Sequence, residues 1–182
     1  IYVVMPSTPY DAKGLLKASI RDDNPIMFIE HKVVYGVKGP VPEEDYTIPL
    51  GIADVKREGT DVTVVAYSRL LHRALEAAEK LAKEGISVEV IDPRTLKPLD
   101  LDTIVRSLRK TGHIVGVTEA YKTGSFISEL FTLINEVAFD WLDAPMVRVT
   151  ALDVPVPMSE PLEETAIPSV DRIIAGIRQA LK

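Results

Sequence analysis

Apolar and polar positions alternate between two periods along the chain, and the switches between them predict the elements. Ile1 to Met5 reads as a short buried strand stopped by Pro6. Ser7 or Thr8 can cap the helix that follows, with Ala12, Leu15, Leu16 and Ser19 on one face. Asp22, Asp23, Asn24 and Pro25 end that helix, because the residue before a proline is pushed out of the helical region. Ile26 to Ile29 is then a second strand, completing a parallel βαβ crossover. Such a unit cannot cover both faces of its own sheet, so it reads as the end of a larger domain whose remainder lies upstream.

From Tyr35 to Pro49 the chain turns to Gly36, Gly39, Pro40, Pro42, Glu43, Glu44, Asp45 and Pro49, a composition that suits neither regular element. This stretch reads as a linker. Beyond it, Ile52 to Lys56 is a candidate edge strand, and the run Val62 to Ala66 a buried one. Leu71, Ala74, Leu75, Ala78, Leu81 and Ala82 keep a helical stripe, with Ser68 as its expected N-cap and Gly85 as its expected C′ residue. Val88 to Ile91 is the next strand, Leu101 to Arg109 a helix opened by Asp100 or Asp102, and Ile114 to Val117 a further strand. A helix from about Ser125 is expected to carry Ile127 through Trp141 on its apolar face. Met146 to Val149 and a helix from Val170 to Leu181 close the chain. Strand and helix alternate repeatedly, so the expected architecture is α/β: a three-layer, open, mostly parallel sheet. The expected division is 1–34, the end of one domain; 35–49, the linker; and 50–182, the second domain.

Composition narrows the classes of function. The chain has 182 residues, 46% hydrophobic and 26% charged, which is ample for a packed core. The 21 Lys and Arg against 27 Asp and Glu give a net charge of −6, so nucleic acid is not an expected partner. With no cysteine, disulfides, thiolate metal sites and cysteine nucleophiles are excluded. No apolar run approaches the roughly 20 residues that span a bilayer, so no membrane association is expected, and the location expected is intracellular and cytoplasmic, or the mitochondrial matrix in a eukaryote.

Candidate chemistry is sparse. His31, His72 and His113 share no metal-binding spacing. Tyr67-Ser68-Arg69 lacks the glycines of a nucleophile elbow, and neither phosphate-binding fingerprint occurs. Two places stand out by position. Thr118, Glu119, Lys122, Thr123, Gly124 and Ser125 lie between a strand and a long helix, where open α/β sheets hold ligands and a helix dipole favours an anion. Ser19 to Asn24 gathers carbonyl, carboxylate and amide oxygens at a helix end, the donors that hard cations prefer. From pattern alone an ordinary strand-to-helix loop, its Glu119 solvated or paired at an interface, is the favoured reading of the first place, and a polar helix terminus that of the second.

Three stretches carry a resemblance. Asp11-Ala12-Lys13-Gly14-Leu15-Leu16-Lys17 with Ile20-Arg21-Asp22 and Glu30 to Tyr35, then Glu89 to Asp100, then Leu142 to Val149, resemble the beta subunit of the thiamine-diphosphate-dependent first component of 2-oxo acid dehydrogenase complexes. Pyruvate, branched-chain and acetoin dehydrogenases belong to that family. The resemblance implies that 1–34 ends a pyrimidine-binding domain and that 50–182 is a transketolase C-terminal-like domain. It also implies an intact oxidoreductase that binds thiamine diphosphate and magnesium and passes an acyl group to a lipoyl arm. The implied partners are an alpha subunit, a second beta subunit, and the subunit-binding domain of the lipoyl acyltransferase. In that family the activating glutamate and the substrate-side histidine lie upstream of Ile1, so this chain is expected to contribute assembly and docking and to be inert alone. The family's structural potassium ion, carried over by position, falls on Ser19, Ile20, Asp22 and Asn24, with Ser19 standing where alanine is common. Two readings remain beside this one: a free-standing α/β module holding an anion at Thr118 to Ser125, and a parent closer to transketolase or deoxyxylulose-phosphate synthase.

Overall fold

The computed structural model describes all 182 residues. Five strands form the main sheet in the order β3-β5-β4-β7-β8: β3 Asp54–Arg57, β4 Val62–Ala66, β5 Val88–Asp92, β7 Ile114–Tyr121 and β8 Val147–Ala151. β4, β5, β7 and β8 run parallel, while the edge strand β3 pairs antiparallel with β5. Continuous apolar runs such as Val62 to Ala66 are what a strand covered on both faces needs, and all five of those residues are buried.

Helices α2 (Arg69–Ala82) and α6 (Val170–Ala180) cover one face, packing Leu71, Ala74, Leu81, Ile173 and Ile177 on Val62, Val64 and Val115. Helices α3 (Leu101–Thr111) and α4 (Phe126–Ala138) cover the other, with Ile104, Leu108, Ile127, Leu130 and Ile134 around Val65 and Ile91. The layers are those expected. Gly116 is required where α4 crosses β7, since a Cβ there would stand 2.3 Å from Ile127.

A second, three-stranded sheet has the order β2-β1-β6, with β1 Tyr2–Val4, β2 Ile26–Phe28 and β6 Thr95–Lys97. β1 and β2 pair in parallel around helix α1 (Pro9–Arg21), whose N-cap is Thr8: its hydroxyl accepts from the Asp11 N–H and donates to the Asp11 carboxylate. β6 comes from the other side of the molecule and pairs antiparallel with β1, so the two sheets are stitched by one strand.

Several expectations are corrected. Ser68 stands at the N-cap position of α2 but makes no side-chain cap, and its backbone adopts φ 55°, ψ −136°. Helix α2 ends at Ala82, three residues before Gly85. α4 ends at Ala138, and Trp141 follows in a 3₁₀ turn, half-exposed with Arg109 over its ring, so it does not continue the core stripe. Strand β7 runs on to Tyr121, which makes Thr118 and Glu119 strand residues and leaves a loop of only 122–125. The segment 35–49 has few regular elements but is held against α1. Tyr46 stacks on Tyr10, Asp45 binds Lys17 and Arg21, and buried Ile48 donates its N–H to the Gly14 carbonyl at 3.1 Å. Helix α5 (Glu160–Ala166) and strand β6 have no counterpart in the sequence pattern as read.

Candidate functional site

The chain leaves β4 through α2 to reach β5 on one side, and leaves β7 through α4 to reach β8 on the other. Adjacent β4 and β7 therefore form the topological switch point, where connections diverge and an open α/β sheet has a crevice at its carboxyl end. A cavity of about 320 Å³ lies there, lined by Met5, His31, Ser68, Thr118, Glu119 and Ser125 among others.

The crevice is entered by the chain's own N-terminal portion. The buried Ser7 hydroxyl accepts the Ser68 N–H at 2.7 Å, and the His72 Nε2 meets the Ser7 carbonyl at 2.8 Å. The Met5 N–H donates to the Arg94 carbonyl at 2.9 Å. His31 Nε2 lies 2.8 Å from the Glu119 carboxylate, which also faces Arg69 at 3.5 Å. Arg69 and Arg73 in turn hold Glu164 of α5. The Thr118 hydroxyl bonds to the Tyr67 hydroxyl at 2.7 Å and accepts the Ala120 N–H at 3.1 Å.

Ser68 deserves a chemical test because its dihedrals are those of a sharp strand-to-helix turn with a buried hydroxyl that has no partner. A nucleophile also needs a base with a free nitrogen lone pair within reach. His31 Nδ1 already accepts the Val33 N–H at 3.1 Å, which fixes the proton on Nε2, facing Glu119. His72 donates its Nε2–H to the Ser7 carbonyl, and no base stands within hydrogen-bond distance of Ser68 Oγ. Ser68 has no activating base, and no group of three or more His, Cys, Asp or Glu is placed to hold a metal.

The second half of the seam is ionic and was not foreseen. Asp11 of α1 is fully buried and receives Arg94 Nε at 2.8 Å and Lys56 Nζ at 2.7 Å. The same two cations bind Asp54 at 2.7 and 2.6 Å. Burial pulls the Lys56 ammonium down, but its hydrogen bonds to Asp11 and Asp54 outweigh this and hold its pKa above the usual lysine value. Beside this network, burial pushes the Asp92 carboxyl up to about 7, against the help of Ser7 and of the Arg94 N–H, which donates to Oδ1 at 2.9 Å. Its Oδ2 is buried without a partner. Arg94 sits at φ 60° in the tight turn between β5 and β6, which is how one side chain reaches both Asp11 and Asp54. The sequence signal was available: Asp92 is a carboxylate that closes a strand buried along its whole length, next to Ile91.

At the other end of α1, Ser19, Ile20, Asp22 and Asn24 are brought together as neighbours around the helix terminus. Their side chains are turned to each other or back to the helix. The Ser19 hydroxyl donates to the Leu15 carbonyl, the Asp22 carboxylate accepts both the N–H and the side-chain amide of Asn24 at 2.8 Å, and Ile20 is exposed. Those hydrogen bonds from Asn24 lower the Asp22 pKa. The donors that fit a cation here are main-chain carbonyl oxygens of the last helical turn, in keeping with an exposed isoleucine in the set.

The family model for transketolase, C-terminal domain, matches residues 51–173. The chain belongs to the transketolase C-terminal-domain family. Beyond that domain the likeness extends to the N-terminal βαβ piece. The chain is 48% identical over 179 residues, 97% of its length, to "2-oxoisovalerate dehydrogenase subunit beta" of Bacillus subtilis (strain 168), of which it covers 55%. It is 49% identical over 172 residues, 94% of its length, to that organism's "Acetoin:2,6-dichlorophenolindophenol oxidoreductase subunit beta", covering 50% of it. It is 46% identical over 183 residues, 100% of its length, to the same organism's "Pyruvate dehydrogenase E1 component subunit beta", covering 56%. The chain thus spans about half the length of these curated relatives. A solved structure described as "Split gene transketolase, inactive beta4 tetramer" superposes with a TM-score of 0.82 at 28% identity, over 99% of this chain and 57% of that one. In this transketolase C-terminal domain, then, the switch-point crevice is where the preceding piece of chain docks.

Proposed function

We propose that the chain is the carboxyl-terminal part of the beta subunit of a thiamine-diphosphate-dependent first component that acts on a 2-oxo acid or acetoin, and that its own work is assembly. The observation that carries this is the switch-point crevice, where an α/β domain would bind a ligand: Met5 and His31 of the same chain form part of its wall, and Ser7 bonds to Ser68 beside it. The relatives' names supply the reaction class, and the absence of an activated nucleophile or base supports placing the reacting groups elsewhere in the parent protein. In that protein, thiamine diphosphate with magnesium would supply the carbon–carbon bond cleavage, a decarboxylation where the substrate is a 2-oxo acid. This chain holds the pyrimidine-side sheet to the C-terminal domain through Asp11, Arg94 and Lys56.

The partners proposed are an alpha subunit, a second beta subunit and the basic subunit-binding domain of a lipoyl acyltransferase, the last drawn by the net charge of −6. A potassium ion at the end of α1 would take carbonyl oxygens of Ser19, Ile20 and Asp22 together with Asn24. A higher melting temperature in potassium than in tetramethylammonium chloride tests this ion.

The central experiment compares the isolated 182-residue chain with the parent subunit in complex with its alpha partner, both supplied with thiamine diphosphate, magnesium and each of the three substrates. Turnover is expected only from the complex. Release of carbon dioxide from a 2-oxo acid by the isolated chain would overturn the proposal.

A further inference from the structure

Between β8 and α5 the chain leaves the core and places apolar side chains in water. Leu152, Val154, Val156, Met158 and Leu162 are all exposed; Met158 is entirely so, Val156 60% and Leu162 57%. Scattered single apolar residues are normal on a surface, but five within one short segment form a patch that calls for a covering surface.

The segment is held at both ends. At its base the Leu152 N–H donates to the Ala166 carbonyl at 2.9 Å, and the Thr123 hydroxyl donates to the Asp153 carboxylate at 2.9 Å. At its far end Glu164 is gripped by Arg69 and Arg73. Pro155 and Pro157 fix the backbone between. The arm is thus shaped before anything binds, which lowers the ordering cost of association. Two prolines also remove the donors that strand addition would need, so recognition falls to the side chains.

Charge selects the partner. From Val149 to Asp171 there is no Lys or Arg, while Asp153, Glu160, Glu163, Glu164 and Asp171 are present. Of these Glu164 is neutralised within the chain, whereas Glu160 beside Met158 is exposed. At this arm a second copy related by symmetry would set Glu160 and Glu163 against acid rather than base, so a second beta subunit fits elsewhere on the surface better than here. The apolar content is that of a lasting contact rather than a passing electrostatic one, since permanent interfaces are the more hydrophobic class.

We propose that the Leu152 to Leu162 arm is the contact by which this chain grips a different, permanently associated subunit, one that offers an apolar groove rimmed by lysine or arginine. The inference rests on the heteromeric reading above and adds the surface and its chemistry.

The test uses the full parent subunit and the alpha subunit of its complex, with dissociation constants from sedimentation at low and high salt. Val156→Asp with Met158→Asp is expected to weaken association at least thirtyfold, while the melting temperature of the free parent subunit changes little because Met158 is fully and Val156 mostly exposed. Glu160→Lys with Glu163→Lys is expected to weaken it about tenfold at low salt, with the difference vanishing at high salt. Wild-type affinity in the double aspartate variant overturns the proposal, and so does a loss confined to self-association or to acyltransferase binding. If the wild-type subunits fail to associate at all, the heteromeric reading is what fails, and the arm's assignment goes with it.

Discussion

Replacing Asp92 by asparagine tests the seam more directly than any deletion, because it changes the charge of one buried group and little else. In the native protein burial lifts this carboxyl from 3.8 to about 7. A raised acid pKa means that the folded state holds its proton over a range where the unfolded chain has lost it. Stability therefore falls as pH rises from about 4 to about 7, and the penalty is complete above 7. Three pKa units at about 1.4 kcal/mol each make the loss about 4 kcal/mol, a large part of the stability of a single domain. Asparagine keeps the oxygen that accepts the Arg94 N–H and cannot ionise. Asp92→Asn should thus change stability little at pH 4.5 and raise it by about 4 kcal/mol, relative to that offset, at pH 8. Urea unfolding followed by far-ultraviolet circular dichroism at five pH values measures this. The difference between the two proteins cancels the titrations of groups remote from Asp92, so a difference that stays flat from pH 4.5 to 8 would refute the assignment of Asp92 as a proton-holding buried acid.

Two further outcomes follow from the same region. Ser68→Gly removes a side chain from a backbone at φ 55° and a hydroxyl without a partner, so it should stabilise by about 1 kcal/mol and raise Tm by about 3 °C in a calorimetric scan; a lower Tm would show that the hydroxyl has a role in the crevice. Arg94→Ala leaves buried Asp11 with Lys56 as its only cation and should cost about 3 kcal/mol, with faster amide exchange in Tyr2 to Met5 ahead of the main sheet. Uniform exchange across both sheets would refute that order.

The main sheet was legible because its information is local. Val62 to Ala66, the α2 stripe and the Asp100 cap each specify an element within a few neighbouring residues, and they lie where periodicity and capping put them. Strand β6 was not legible: it has three residues and exists because Tyr2 to Val4 lie opposite, more than ninety positions away in sequence. The same holds for the seam. Asp11, Asp54, Lys56, Asp92 and Arg94 come from three separate parts of the chain, and no spacing rule joins them. The Thr118 to Ser125 region was placed at the right end of the sheet, and of its two readings, an anion site or an ordinary loop with Glu119 paired at an interface, the contacts of Thr118 and Glu119 with Tyr67, His31 and Arg69 fit the second. Trp141 failed for a simpler reason: the apolar stripe was extended past the point where α4 tightens into a 3₁₀ turn.

The antiparallel pairing of β1 with β6 bears on how such proteins can be recombined. A graft that takes 50–182 from one relative and the preceding half from another divides a hydrogen-bond ladder between two ancestries, because β6 travels with the second piece and its mate with the first. Swaps of this kind should succeed only when Tyr2 to Val4 and Thr95 to Lys97 are transplanted as a pair. The evolutionary unit, on this view, is larger than the stretch that the family pattern covers.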